Sequence, residues 1–193
     1  TIARSLVEIS RIEDSFSKGI VGFASISKYG LGSLIDAALD LLNEKEMLKQ
    51  HNIEVVCEID RAINVECSLF MKEVFYNIFH NARWWILHKR KTVPDFRGVI
   101  RIVVQKADEP GKGEEVELNR FCKITIWDNG MGAEPQDLPK ILDDKFSLRG
   151  KEGTGFGLFA ANQYVTSLGG QLKVDSIYRE WFEVTINLRR AHD

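Results

Sequence analysis

The sequence predicts a two-layer α/β sandwich, one mixed sheet of about five strands with helices on one face. Three observations point there. β-branched or alternating apolar runs mark five strand segments, and apolar residues at spacings of three and four mark the helices between them. The order of elements is helix, helix, strand, long helix, strand, strand, loop, helix, strand, strand, with few strictly alternating βαβ units.

In chain order, Ile2, Leu6, Ile9, Ile12 and Phe16 form a single narrow helical stripe, too weak to stand alone, which predicts a connector helix that packs on another helix. Lys28 to Ser33 reads as a break, and Ser33 can cap a second helix through Leu34, Ala38, Leu41 and Leu42 to about Gln50. Ile53 to Ile59 reads as a strand. A long helix is expected from Ser68, a possible cap, to His88, because Leu69, Val74, Phe75, Ile78, Phe79 and Ala82 keep a helical period. Strands follow at 99–104 and 121–127, joined by a solvated hairpin loop at 108–113. Residues 133–152 contain Pro135 and Pro139 and no sustained period, and a long loop inside a compact domain is usually functional. Gly157 to Leu168 then reads as a helix ended by Gly169-Gly170, followed by strands at 171–176 and 181–188.

Composition narrows the function classes. The chain has 193 residues, 44% hydrophobic and 28% charged, the values of an ordinary globular domain. Its 26 Lys and Arg against 28 Asp and Glu give no basic excess that would suggest nucleic acid. Cys57, Cys67 and Cys122 have neither zinc-site spacing nor the density of a disulfide scaffold, so a reducing, cytoplasmic compartment is expected. No apolar run is long enough for a membrane helix, so no membrane contact is expected. A chain that starts at Thr1 without Met is expected to be a piece of a longer protein.

Three segments carry chemistry. Glu73, Asn77 and Asn81 recur every four residues and form a polar stripe beside the apolar one. Such a stripe is either a solvated helix edge or a pocket wall whose Asn oxygens can hold Mg²⁺ together with phosphate. Asp128 ends the strand at 121–127 on the same face as Cys122, Ile124 and Ile126, and Asn129-Gly130-Met131-Gly132 follows. Asp-Asn-Gly is a common turn; as a carboxylate at the rim of an apolar face, Asp128 could instead accept a hydrogen bond from the adenine amine. Gly153-Thr154-Gly155-Phe156-Gly157-Leu158 leads directly into a helix, where glycines allow close approach and unpaired amides attract phosphate. Its GxGxG spacing is not the dinucleotide fingerprint, so Asp175 is not read as a ribose ligand.

Taken together, in this order and spacing, these segments resemble the GHKL superfamily of ATPases and kinases, and most closely the catalytic ATP-binding domain of sensor histidine kinases. Residues 73–82 look like its N box, Asp128 to Gly132 its first glycine box, Gly153 to Leu158 its second, and Lys145-Phe146-Ser147 its F box. The similarity runs from about Ser33 to Leu188, so the resemblance implies a connector over 1–32 and a Bergerat-type catalytic domain over 33–193 with a lid at about 133–152.

The resemblance also implies roles. Asn81 would hold Mg²⁺ with the ATP triphosphate, and Asn77 would support the same site. Asp128 would bind the adenine amine beside Gly130 and Gly132. Gly153, Thr154, Gly155, Phe156, Gly157 and Leu158 would lie against phosphate and let the lid hinge. Glu73 and Asn77 are the candidate catalytic positions. Hydrolysing relatives carry a Glu four residues before the metal-binding Asn; here Asn77, which cannot take a proton, favours phosphotransfer. Trp84 stands where a Lys is frequent, so Arg83 is expected to take over a phosphate contact, Trp85 to pack near the base, and Arg149 to face phosphate from the lid beside Phe146.

None of the four histidines has a phosphoacceptor context, so the acceptor is expected on a dimerisation domain outside this chain. The partners implied are that domain, a downstream response regulator and a second copy in a homodimer. Lys89-Arg90-Lys91 reads as a solvated helix end or, less simply, a docking site. A GHKL-type ATPase, an anti-sigma-like protein-serine kinase and a non-catalytic nucleotide-sensing module are the rival readings.

Overall fold

The computed structural model of the chain describes residues 25–43, 47–108, 120–144, 146–149 and 155–191. The helix expected over residues 2–16, most of the loop at 108–113, and Lys145, Gly153 and Thr154 lie outside them.

The elements are β1 (Ser27–Gly30), α1 (Leu31–Asn43), the single turn α2 (Met47–Gln50), β2 (Ile53–Ile59), β3 (Asn64–Cys67), α3 (Phe70–Arg90), β4 (Gly98–Ala107), β5 (Phe121–Asp128), a 3-10 turn (Leu138–Lys140), α4 (Phe156–Ser167), β6 (Gln171–Ile177) and β7 (Trp181–Arg189). Five strands form the main sheet in the order β2-β4-β5-β7-β6. Only β2 and β4 pair in parallel; the other three pairings are antiparallel. The sheet is therefore mixed, as expected.

Period-two alternation decides which face is covered. Ile100, Ile102 and Val104 of β4, Cys122, Ile124 and Ile126 of β5, and Val184, Ile186 and Leu188 of β7 are all buried. They meet α1 through Leu31, Leu34, Ile35 and Ala38, and α3 through Met71, Val74, Phe75, Ile78, Phe79 and Ile86. Phe75 and Phe79, one turn apart, are fully buried with their rings 6.3 Å apart. The alternate residues Arg101, Lys123, Thr125 and Lys173 turn to the opposite face. At 21 residues, α3 is about 31 Å long, enough to cross the whole sheet.

The structure corrects the expected elements at three places. Residues 27–30, which overlap the break expected at 28–33, form β1 and pair antiparallel with β3, which was not expected at all. The first strand of this ribbon, β1, lies N-terminal to the expected domain start at 33, yet through β3 the ribbon is tied to the residue just after β7 by a bridge between Val65 and Arg190. The next helix begins at Leu31, whose amide bonds to Ile63 O at 3.0 Å, so Ser33 is an exposed residue of its first turn and not its cap. Finally, α3 begins at Phe70 with Leu69 at the N-cap position. Ser68 is buried; its hydroxyl accepts from Phe70 N at 3.3 Å and shares a 2.7 Å hydrogen bond with Tyr164 Oη, which ties the start of α3 to α4.

No helix among the described residues is long and apolar enough to cross a membrane.

Candidate functional site

A cavity opens between α3, the end of β5, the loop that follows it and the start of α4. The four-residue spacing on α3 places Asn77, Asn81 and Trp85 on one wall, and His80 joins them. Asp128, Gly132 and Ala133 come from the end of β5 and the turn beyond it. Phe146 and Arg149 come from the loop expected to be a lid, and Gly155, Gly157 and Leu158 from the start of α4.

Asp128 is one of two buried polar residues among the described ones, at 4% exposure. The pleat of β5 fixes this, because Asp128 continues the buried series of Cys122, Ile124 and Ile126. Its Oδ1 accepts from Gly130 N at 2.8 Å. Burial raises its pKa to about 7, against the smaller lowering effects of the Gly130 amide and Lys89. A Cβ on Gly130 would lie 2.6 Å from that carboxylate oxygen and 3.0 Å from Trp85, so glycine is what lets the turn close over both. Gly132 has φ +62°, and a Cβ there would lie 2.3 Å from Ile177 O. Asn129 closes the end of the sheet, its Oδ1 accepting from Val99 N at 2.8 Å and its Nδ2 donating to Arg97 O at 3.0 Å.

The other wall starts at Gly155, which adopts the left-handed region at φ 70° as the N-cap of α4 and offers no side-chain cap. Gly157 packs against Asn77, where a Cβ would sit 3.6 Å from its side chain. The first turn of α4 therefore presents backbone amides next to the Asn stripe, an arrangement suited to anionic oxygens.

Arg149 donates to Asn81 Oδ1, and its guanidinium lies 4.8 Å above the Trp84 ring. His80 is held neutral, with its pKa lowered to about 4 by burial and then by Arg149 and Arg83. Glu73, Arg83 and Phe156 are not on the cavity wall: Glu73 lies 3.6 Å from Lys72 Nζ, and Phe156 packs on Phe159 at 6.0 Å. The Arg83 guanidinium is partly desolvated, which lowers its pKa, and its buried Nε has no hydrogen-bond partner among the described residues.

Residues 68–192, which include every part of this cavity, match the family described as Histidine kinase-, DNA gyrase B-, and HSP90-like ATPase. The chain belongs to this family. It is also 40% identical over 60 residues to the Probable C4-dicarboxylate sensor kinase of Bacillus subtilis, covering 31% of this chain and 11% of that protein. With the Signal transduction histidine-protein kinase ArlS of Staphylococcus haemolyticus it shares 35% identity over 79 residues, 37% of this chain and 17% of that protein. The chain thus matches only a small part of the length of these relatives. In fold it is similar to the mycobacterial sensor histidine kinase MprB, with a TM-score of 0.67 at 19% identity over 88% of this chain and all of that one.

Two supporting residues of this ATPase-family domain were not anticipated. Lys89, read in sequence as part of a solvated helix end, donates to Asn129 O at 2.8 Å, Gly130 O at 3.0 Å and Glu180 O at 3.2 Å, and caps the Phe96 ring at 4.5 Å. Arg90 likewise donates to Phe96 O and His51 O, at 3.1 and 2.5 Å. These two cations are therefore internal struts. No local signal could have identified Lys89, whose hydrogen-bond partners lie 40 to 91 residues away. Lys89→Met keeps the aliphatic stem and removes three charge-assisted bonds, so it should lower unfolding stability by about 2 kcal/mol, seen as a lower urea midpoint at unchanged slope.

Proposed function

We propose that this chain is the Mg-ATP-binding catalytic domain of a two-component sensor histidine kinase. In this reading it transfers the γ-phosphoryl group of ATP to a histidine on a dimerisation domain outside the chain. A response regulator then receives the phosphoryl group, and the full-length kinase acts as a homodimer. The observation that carries this reading is the convergence on one cavity of Asn77 and Asn81 from α3, Asp128 from β5 and the glycine-rich start of α4.

These residues divide the work. Asp128, buried and rimmed by apolar side chains, is suited to accept from the exocyclic amine of adenine, and Trp85 offers a flat face beside it. The amides of the first turn of α4, together with Arg149, are suited to the phosphates. No group of three or more His, Cys, Asp or Glu among the described residues could hold a metal ion. A hard cation at this site would therefore rest on the amide oxygens of Asn81 and Asn77 and on phosphate and water, the kind of site Mg²⁺ accepts. The ion would supply neutralisation of phosphate charge. Asn77, in the position where hydrolysing relatives place a carboxylate, cannot accept a proton from water, which supports transfer over hydrolysis. Asn77 and Asn81 then act by positioning, the main contribution a protein makes to phosphoryl transfer.

The test is incubation of the full-length protein with radiolabelled ATP and Mg²⁺, followed by acid and base treatment of the labelled product. Label that acid removes and base spares is a phosphoramidate and supports the reading. Acid-stable label indicates a serine ester, and label recovered as free phosphate indicates an ATPase; either outcome rejects histidine transfer.

A further inference from the structure

Among the described residues, Arg149 is the one Arg or Lys on the cavity wall, and it comes from a loop, whereas α3 presents Asn77, Asn81 and Trp85 there. A cation on a long side chain in a loop loses rotamer and backbone freedom when it is fixed, and that loss weakens whatever it binds. In this chain the freedom is already restricted. The guanidinium is seated 4.8 Å above the indole of Trp84 while donating to Asn81 Oδ1. The indole is itself fixed: it stacks on His88 at 5.0 Å with 12° between the planes, and meets the edge of Trp85 at 4.5 Å and 82°. Trp85 in turn lies against Gly130, beside Asp128. Contacts thus run from the turn beside Asp128, through the backbone and Cβ of Trp85 and the two indoles, to the cation of Arg149.

We propose that Trp84 is a positioning residue, whose ring face seats the lid arginine Arg149 over Asn81 so that the loop presents a pre-ordered cation to the phosphates. This rests on the nucleotide reading of the cavity. It also gives Trp84 a role that its half-buried, apolar side chain would not suggest, since the same ring could equally have been a packing residue. The distinction is measurable, because a seat for a cation affects phosphate binding alone, whereas packing on Trp85 would affect the base as well.

Calorimetric titration of the chain with adenosine and with ATP, both with Mg²⁺, separates these. Trp84→Leu removes the π face and should weaken ATP by about tenfold while leaving adenosine within about twofold. Trp84→Phe retains a π face and should recover most of the ATP affinity. Arg149→Gln should match Trp84→Leu, and the double variant should bind ATP about as well as either single one, because both break one contact. Equal losses for adenosine and ATP, a Trp84→Phe variant no better than Trp84→Leu, or penalties that add in the double variant would each overturn the proposal while leaving the nucleotide site intact. Wild type that binds neither ligand would overturn the nucleotide reading and the proposal together.

Discussion

Asn81→Ala is expected to weaken Mg-ATP binding by at least about a hundredfold and to abolish phosphotransfer in the full-length protein. Removal of groups that merely orient a metal ligand costs about ten- to a hundredfold, and Asn81 is assigned as a ligand itself. The variant also deletes the acceptor that Arg149 meets, so cation and metal contacts are lost in one step. Stability should stay within about 1 kcal/mol, since Asn81 is part-exposed on the cavity wall and not in the core. Calorimetric titration with Mg-ATP, with a urea melt as the folding control, decides the matter. A variant that binds as tightly as wild type would remove Asn81 from the site.

Asp128→Asn should have an effect of similar size on adenine nucleotides and should not destabilise the fold. The carboxamide is the same size and can still accept from Gly130 N, but it directs an NH₂ donor where the adenine amine needs an acceptor. A loss of about a hundredfold or more is expected, because an unpaired polar group would then be buried against the ligand. The variant should be as stable as wild type near neutral pH or more so, because it no longer buries a charge.

The raised pKa gives this prediction a pH signature. The ordinary value is 3.8 and the folded value about 7, so the proton binds the folded form more tightly than the unfolded one. By linkage, Asp128 contributes stability that is fully present below about pH 4 and is lost as pH rises through about 7. In the proposed site, adenine would select the ionised form. ATP affinity should therefore fall as pH drops below about 7, and binding just below neutrality should release protons, which titrations in buffers of different ionisation enthalpy would detect. The Asn variant should show neither effect.

The main sheet and α3 were legible because their long segments repeat a period several times: β4 alternates over residues 98–105, β7 over 183–189, and α3 keeps its buried stripe from Met71 to Ile86. The ribbon of β1 and β3 was not, since four residues give too short a pattern, and Ser-Lys-Tyr-Gly resembles a turn more than a strand. The site divides in the same way. Asn77, Asn81 and Asp128 announce themselves as polar residues out of place on apolar faces, and the fold brings all three to one cavity. Lys89 carries no such mark: a Lys at a helix end is solvated far more often than not, and only the fold brings three carbonyls to it. Arg83 fails in the other direction, because adjacency in sequence to the Asn box does not place it on the cavity face of α3.

The position of Asp128 has a consequence for inhibitor design. It ends β5, the central strand of the five, held by β4 on one side and β7 on the other. The Asp128 side of the cavity is therefore braced by the sheet, whereas Phe146 and Arg149 are carried by loop backbone. A compound that mimics adenine and anchors on Asp128 would engage the rigid end. Chemical groups that extend from it toward Arg149, seated over Trp84, would instead meet a wall carried by loop backbone.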